Sequence, residues 1–189
     1  MAIILASASP RRQQLLQQVG CQFTVITSDV MEDNQQKMQP VNLAVSQAEA
    51  KALAVANQVS PEDVVIGADT IVVLQGKVYG KPADTLEAYY MLSCLSGKEH
   101  EVITGVAVVH GADLWTDSAI TRVRFANLLP EEIERYVATG EPMDKAGAYA
   151  IQGKGSLLVE SISGCYDNVV GLPLVVLAAM LKKAGISLL

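Results

Sequence analysis

The chain has 189 residues, half of them hydrophobic and 18% of them charged, which excludes a disordered protein. A formal net charge of -6 argues against broad binding to nucleic acid or anionic membranes, so a polyanionic ligand would need a local basic cluster. No apolar run reaches the roughly 20 residues that cross a membrane, and the first residues lack the basic segment of a signal peptide. We expect a cytoplasmic protein of one domain.

Short apolar runs alternate with amphipathic stretches, which predicts an α/β fold with a mixed sheet, because hairpins and helical crossovers both occur. The predicted strands are Ile3 to Ala6, Gln22 to Thr27, Val64 to Ala68, a hairpin of Ile71 to Leu74 with Lys77 to Tyr79, Val102 to Val109, Ala119 to Phe125 and Leu157 to Ile162. The predicted helices run from Ser9-Pro10 to Val19, Asn42 to Asn57, Asp84 to Leu95, Pro130 to Ala138 and Leu172 to Ala184. A polar loop is expected at Asp29 to Gln39 and an irregular segment at Glu141 to Gly155.

Cys21, Cys94 and Cys165 are far apart and odd in number, so we expect buried thiols rather than metal ligands or disulfides.

The first candidate site is the segment Ser7 to Arg12, where a strand leads directly into a helix. Ser9 is expected at the N-cap and Pro10 at the first helical position, followed by Arg11 and Arg12. Free backbone N–H groups and the helix dipole favour an anion there, and guanidinium groups match phosphate oxygens in a bidentate way. The two arginines are therefore either solvated or bound to a phosphate-bearing ligand.

The second candidate site is the segment Gly67 to Thr70 together with Lys81. Asp69 is expected to end a buried strand, a favoured place for chemistry in α/β sheets, where its carboxylate would bind Mg²⁺ or orient a water. Lys81 follows the predicted hairpin, which would return it to the neighbourhood of Asp69. The alternative is a turn aspartate and a surface lysine.

Glu32 and Lys51 form a third candidate group, for which the residues alone decide little. Glu32 lies in the polar loop. Lys51 lies on a predicted helix beside small and apolar neighbours, so it either extends its ammonium to solvent or serves a site. The helical pattern by itself favours the solvent-exposed ammonium.

A fourth candidate site is the irregular segment Glu141 to Gly153, which carries charged residues, glycines and a tyrosine in an otherwise apolar chain. Long irregular segments often carry function. Gln152 offers N–H donors and a carbonyl acceptor, which suits the edge of a nucleotide base. Alternatively, the segment is an ordered connector held by contacts between Asp144 and Lys145.

Several common motifs are absent from the sequence. After Gly147, positions 152–154 hold Gln, Gly and Lys, where a Walker A motif needs Gly, Lys and Ser or Thr. The GxGxxG, GxSxG and HExxH motifs are absent as well. His100 and His110 lie in or beside predicted strands, and we expect both to be structural.

Together these segments resemble the Maf family of nucleotide pyrophosphatases, over a stretch from Ile3 to about Leu177. The matching residues are Leu5 to Arg12, Glu32, Lys51, Gly67 to Thr70, Lys81-Pro82, Leu95 to Gly97 with His100, Thr104 to Val106, Glu141 to Gly153 and Val169 to Pro173. The resemblance implies a single Maf-like domain over residues 1–189. It also implies an elongated α/β fold similar to that of inosine triphosphate pyrophosphatases, with two lobes around a cleft. Dependence on Mg²⁺ or Mn²⁺, homodimers and a house-cleaning role in nucleotide metabolism are further implications.

Carried over by position, the resemblance also implies roles for individual residues. Asp69 would be the proton acceptor and, with Glu32, a metal ligand. Lys51 and Lys81 would act with it as catalytic residues. Substrate binding would fall to Ser7, Arg11, Arg12, Thr70 and Gln152.

The residues and the resemblance agree on a nucleoside triphosphate pyrophosphatase. The block from Lys145 to Gly153 resembles the branch that acts on dTTP and UTP, and modified pyrimidine nucleotides are possible substrates. One alternative is a nucleotide-binding regulator of cell division without turnover. Another is a sugar-nucleotide transferase, although the Gly-rich N-terminal loop of that class is missing.

Overall fold

The computed structural model describes residues 1–34 and 37–189, which form a mixed sheet of seven strands with helices packed on it. The strands are β1 (Ile3–Leu5), β2 (Thr24–Val25), β3 (Val64–Leu74), β4 (Lys77–Tyr79), β5 (Glu99–His110), β6 (Asp113–Phe125) and β7 (Val159–Ser163). The α-helices are α1 (Pro10–Gln18), α2 (Pro40–Ala56), α3 (Thr85–Leu95), α4 (Pro130–Val137), α5 (Tyr166–Val170) and α6 (Leu174–Lys183). The sheet order is β2-β1-β3-β5-β6-β7, with β4 beside β3. The predicted α/β class with a mixed sheet is confirmed.

Strand β3 is central to this sheet, because three other strands pair with it. On one side β5 pairs with it in antiparallel register, from Val64 opposite His110 to Val73 opposite Glu101. On the other side β1 pairs with residues 64–66 and β4 with residues 72–74. Within the described part of the chain, residues 67–71 of β3 therefore have no strand partner on that side. The sheet has a gap there.

Asp69 and Thr70 lie in this gap, in the interior of β3. The two runs predicted as separate strands are one continuous strand, so the prediction that Asp69 ends a strand is wrong. Pairing continues through the polar residues because Asp69 lies opposite Gly105 and Thr70 opposite Thr104. A missing strand partner among the described residues, rather than a strand end, opens the sheet beside this part of β3.

Helix α2 packs directly on the sheet beside Asp69. A Cβ atom on Gly67 would lie 2.3 Å from the carbonyl oxygen of Ala48, and one on Gly105 would come equally close to the helix backbone. Such distances are below any van der Waals contact, so the close approach requires glycine at both positions. The approach brings Lys51, which follows Ala48 by almost one helical turn, to Asp69.

Two apolar clusters fill one face of the sheet, on either side of the gap. The first contains the start of β3 with α1 and α6. The second contains Val72 and Leu74 near the end of β3, with α3 and α4. Thr70 lies between them on the same face, because side chains alternate along a strand. The cleft expected between two lobes lies at this boundary.

Several predicted boundaries differ from the observed ones. Helix α2 begins at Pro40 with Gln39 as its N-cap, so the prediction that Asn42 caps it is wrong; the fixed φ of proline suits a first helical position. Strand β2 is shorter than predicted, β5 and β6 are longer, and the short helix α5 was not predicted. Gln35 and Gln36 of the predicted polar loop lie outside the described residues.

The predicted start of α3 is confirmed, because a single side chain determines the local structure there. Asp84 caps α3, since its Oδ1 atom accepts a hydrogen bond of 2.8 Å from the backbone N–H of Glu87. Cys21, Cys94 and Cys165 are free thiols, but they are half-buried rather than buried. Across the described ranges, no helix has the length and apolar character needed to span a membrane.

Candidate active site

The gap beside β3 opens into a cleft of about 460 Å³. Loop and helix-start residues that follow β1 and β4 form part of its wall, and the irregular segment after α4 forms another part. All the residues predicted to serve the site line this one cleft, namely Ser7, Arg11, Arg12, Glu32, Lys51, Asp69, Thr70, Lys81 and Gln152.

Arg12 is fixed on the cleft wall by three hydrogen bonds. Its Nε donates to the carbonyl oxygen of Gly171 at 2.8 Å, its Nη1 to Oγ of Ser7 at 3.0 Å and its Nη2 to Oγ1 of Thr70 at 3.1 Å. Burial lowers the pKa of Arg12, and the nearby carboxylate of Asp69 opposes that change. Arg12 is thus not a solvated helix residue, and because a guanidinium has five N–H donors, some remain for a ligand.

Arg11 connects two walls of the cleft. Its Nη1 lies 3.1 Å from Oδ2 of Asp144, in the 3-10 helix Glu141–Asp144. The other carboxylate oxygen of Asp144 accepts a hydrogen bond of 2.5 Å from Nζ of Lys145, so the predicted contact between these neighbours is present. Asp144 therefore lies between two cations beside the cleft.

A chain of ion pairs surrounds Asp69 on the opposite face of β3 from Arg12. Nζ of Lys51 lies 2.6 Å from Oδ1 of Asp69 and 2.8 Å from Oε1 of Glu32. Lys81, whose side chain is half exposed, lies 3.0 Å from the same oxygen of Glu32. Asp69 and Lys51 are 3% and 7% exposed. The interpretation that Lys51 extends its ammonium to solvent is therefore wrong.

The two carboxyl groups of this chain differ in their electrostatic environment. Burial raises the pKa of Asp69, and the charges of Lys51 and Arg12 only partly oppose the rise. Burial acts in the same direction on Glu32, but Lys51 and Lys81 outweigh it and lower the pKa of Glu32 to about 2. At neutral pH Glu32 is therefore a firmly ionised acceptor, while Asp69 has the greater affinity for a proton.

The irregular segment places Gln152 at the cleft. Gln152 is half-buried, and in the described part of the chain its side chain has no hydrogen-bond partner. Behind it, the buried Tyr149 hydroxyl lies 2.7 Å from Nε2 of His100. His100 packs edge-on against Phe125 and does not line the cleft, in keeping with the structural role predicted for it.

Comparison with known proteins assigns the chain to a family. A family model described as Maf-like protein matches residues 2–184. The chain belongs to the Maf family. The expected resemblance is thereby confirmed over nearly the whole sequence.

Full-length relatives of this Maf protein share about half of its residues. The dTTP/UTP pyrophosphatase of Desulforamulus reducens is 50% identical over 188 residues, covering 98% of this chain and 98% of the relative. The protein of the same name from Pelotomaculum thermopropionicum is 51% identical over 189 residues, covering 99% and 98%. That from Symbiobacterium thermophilum is 52% identical over 183 residues, covering 97% and 94%.

Among solved structures, the Maf chain resembles the Ham1 protein of Staphylococcus aureus. The TM-score is 0.53 at 13% sequence identity, and the match covers 97% of this chain and 100% of the other. At this identity the likeness concerns the fold alone.

The sequence does not predict the buried polar chain that lies behind the cleft of this Maf protein. Thr70 Oγ1 lies 2.9 Å from Thr104 Oγ1, which in turn donates to the carbonyl oxygen of Asn168 at 3.1 Å. Since each hydroxyl has one hydrogen, Thr70 donates to Thr104 and accepts from Arg12. Nδ2 of Asn168 also donates to Oγ1 of Thr121 at 3.0 Å. In the sequence, strands β3 and β5 each hold a single threonine, and nothing in the apolar pattern marks its partner.

Proposed function

We propose that this Maf-family protein is a nucleoside triphosphate pyrophosphatase that hydrolyses dTTP and UTP, or modified pyrimidine nucleotides, to the monophosphate and pyrophosphate. The observation that carries the proposal is one cleft in which the buried carboxylate of Asp69 lies among cationic side chains, namely Arg11, Arg12, Lys51 and Lys81. A polyanion would be attracted by the cations, and the carboxylate supplies an acceptor for a proton. The names of the relatives supply the expectation of dTTP and UTP.

The triphosphate would bind at the start of α1. Ser9, the N-cap residue, makes no capping hydrogen bond with its side chain, so the first-turn N–H groups are left for a ligand. Arg12 is already oriented by its three hydrogen bonds, which reduces the entropy lost on binding. Arg11 and Lys81 are less buried and would pair with phosphate oxygens nearer the mouth.

A divalent cation, Mg²⁺ or Mn²⁺, fits the acceptors of the cleft. Glu32 and Asp69 present carboxylate oxygens on either side of the Lys51 ammonium, and Oδ2 of Asp69 has no hydrogen-bond partner among the described residues. No group of three or more His, Cys, Asp or Glu suited to a metal occurs in those residues. Mg²⁺ commonly takes one or two carboxylates and completes its shell with waters and substrate phosphates. We propose Glu32 and Asp69 as its ligands; when bound, the metal would offset phosphate charge.

The remaining chemistry is assigned to the chain's own residues. Asp69 orients a water and accepts its proton on Oδ2 as the water oxygen bonds to the α-phosphorus. The bond from this phosphorus to the oxygen bridging to the β-phosphate breaks, and pyrophosphate leaves. Lys51 holds Oδ1 of Asp69 in place, and the raised pKa of Asp69 makes it a better proton acceptor. Lys81 and Arg11 stabilise the charge of the departing pyrophosphate.

The proposal extends to the assembly and location of the protein. A homodimer is proposed from the family resemblance, and a cytoplasmic location from the sequence features given above. No nucleic-acid partner is proposed, in keeping with the net charge of -6. Sedimentation velocity over a range of protein concentrations tests the dimer, and a single monomeric species at all concentrations would contradict it.

A panel of nucleoside triphosphates with pyrophosphate detection tests the function. We expect release of pyrophosphate with dTTP and UTP, loss of the activity with EDTA and its return with excess Mg²⁺ or Mn²⁺. Tight nucleotide binding without pyrophosphate release would instead favour the regulator without turnover. Release only in the presence of a sugar phosphate would favour the transferase.

A further inference from the structure

Behind the cleft, Glu141 accepts hydrogen bonds from the backbone of the turn that contains Gln152. Its Oε1 accepts hydrogen bonds of 3.0 Å from the backbone N–H of Gly155 and from the hydroxyl of Tyr136. Its Oε2 accepts a hydrogen bond of 3.1 Å from the backbone N–H of Lys154. Glu141 does not line the cleft itself. The carboxylate of Glu141 therefore binds the backbone of the turn and the hydroxyl of Tyr136, and not a ligand.

Tyr136 completes this anchor from the neighbouring helix α4. Its ring is buried, and its hydroxyl accepts a hydrogen bond of 3.3 Å from the backbone N–H of Ala150 while it donates to Glu141. Three backbone N–H groups of residues 150–155 thus donate hydrogen bonds to the carboxylate of Glu141 or to the hydroxyl of Tyr136. Gln152 lies in the middle of this short segment and lines the cleft.

The backbone of this turn comes very close to itself and to Glu141. A Cβ atom on Gly155 would lie 2.2 Å from the carbonyl oxygen of Ala150, and Gly153 has a φ of +63° with Glu141 Oε2 only 2.9 Å from where its Cβ would be. Glycine alone allows such an approach and such a φ. Gly153 and Gly155 contribute no side-chain packing, so the hydrogen bonds to Glu141 and Tyr136 hold this part of the backbone.

We infer that Glu141 is a positioning residue for nucleotide specificity, which acts by holding the turn that presents Gln152 to the base. The inference rests on the proposed function, because it needs a nucleotide in the cleft. It adds a residue outside the cleft to those that determine base choice. The carboxylate is suited to this role because a charged acceptor strengthens each of its hydrogen bonds to a backbone N–H.

The substitution Glu141→Gln isolates this role. A glutamine side chain has the same shape, but whichever way its amide is turned, its NH₂ group meets at least one of the N–H donors that the carboxylate now accepts. Glu131→Gln is the matched control, since Glu131 is exposed on α4 and the change in charge is the same. Tyr136→Phe removes only the hydroxyl and serves as a second variant if Glu141→Gln does not fold.

The first measurement is kcat/KM for UTP and CTP with wild type, Glu141→Gln, Gln152→Ala, the double variant and Glu131→Gln. We expect Glu141→Gln to lower the UTP/CTP ratio at least about 5-fold, the effect of one lost hydrogen bond. In the Gln152→Ala background it should have no further effect on the ratio, because both changes remove the same contact. Glu131→Gln should leave the ratio as in the wild type.

The second measurement needs no substrate. Amide hydrogen exchange in the segment 150–155 should be at least about 5-fold faster in Glu141→Gln or Tyr136→Phe than in the wild type. An unchanged exchange rate, an unchanged UTP/CTP ratio, or effects of Glu141→Gln and Gln152→Ala that simply add would each overturn the inference. If the wild type releases pyrophosphate from no nucleotide, the proposed function is wrong, and the specificity role of Glu141 is wrong with it. If it hydrolyses UTP and only the ratio fails to respond, the inference alone is wrong.

Discussion

The ammonium nitrogen of Lys51 lies 2.6 Å from Oδ1 of Asp69, and both side chains are buried. A buried carboxylate is costly unless it is paired, so the lysine favours the ionised form of Asp69 and orients it, although burial still raises the pKa of Asp69. The pair uses only one carboxylate oxygen, because Oδ2 of Asp69 has no partner among residues 1–34 and 37–189. The oxygen left over is the one available to a water or a metal.

Asp69→Asn should lower kcat for UTP by at least about 100-fold, the low end for the loss of a general base. The amide keeps the shape and an oxygen for Lys51 but cannot accept a proton at neutral pH. Nucleotide binding should largely survive, since Arg11 and Arg12 are untouched. Steady-state kinetics and binding of a non-hydrolysable UTP analogue measure the two effects, with the exposed Asp113→Asn as the control. A folded Asp69→Asn protein with turnover near that of the wild type would remove Asp69 from the mechanism.

Hydrolysis of UTP in ¹⁸O-labelled water should place the label in UMP and none in pyrophosphate. The reason is that the proposed water attacks the α-phosphorus, so the water oxygen stays with the monophosphate while the bridging oxygen leaves with pyrophosphate. Mass spectrometry of both products after a single turnover reads the position directly. UDP as a product, with the label in free phosphate, would show attack at the γ-phosphorus instead.

Which of these features the sequence predicts depends on how local their causes are. The cap of α3 by Asp84 is set within one turn and was predicted correctly. Strand β3 was divided at Asp69 and Thr70, because two polar residues interrupt its apolar pattern. Only the pairing with Gly105 and Thr104 shows that the strand continues, and that pairing joins residues more than thirty positions apart.

For the site residues too, the sequence predicts local features but not partners that are distant along the chain. The spacing of Lys51 along α2 gave its position on the helix but not its partner, and pattern alone favoured solvent over Asp69. Thr104 and Glu141 act through contacts that no sequence periodicity marks: Thr104 reaches Asn168 across 64 positions, and Glu141 holds backbone N–H groups rather than side chains. The motif resemblance identified the residues that line the cleft, whereas the residues that hold them in place required the structure.

Acid should destabilise the fold through His100. Burial lowers the pKa of His100 to about 4, below its ordinary value near 6.5. The unfolded chain then binds a proton that the folded chain excludes, so this contribution to stability is complete above about pH 6.5 and is lost as pH falls toward 4. The loss amounts to about 3 kcal/mol in the free energy of unfolding. Urea unfolding at several pH values measures it.

His100→Gln should remove this part of the pH dependence, because an amide can still meet the hydroxyl of Tyr149 but does not titrate in this range. The slopes of unfolding free energy against pH are compared, so a change in absolute stability does not confuse the result. His110→Gln, on the same strand, is the matched control for the exchange of a histidine for a glutamine. Equal slopes for His100→Gln and the wild type would mean that other groups cause the acid sensitivity.

Gln152→Ala should reduce the preference for UTP over CTP. Uracil and thymine share an edge of O4, N3–H and O2, which one amide can match with a donor and an acceptor, whereas cytosine has an amino group at position 4 and an unprotonated N3. The side chain of Gln152 is half-buried at the cleft and uncommitted to other described residues, so it is available for this edge. A mismatched buried polar group costs about 1–3 kcal/mol, or roughly 5- to 150-fold in kcat/KM. The preference of the wild type should therefore fall by a factor in this range, while dTTP and UTP stay close to each other in both proteins. If the UTP/CTP ratio is the same with and without the amide, Gln152 does not contact the base, and base choice passes to Thr70 and Arg11.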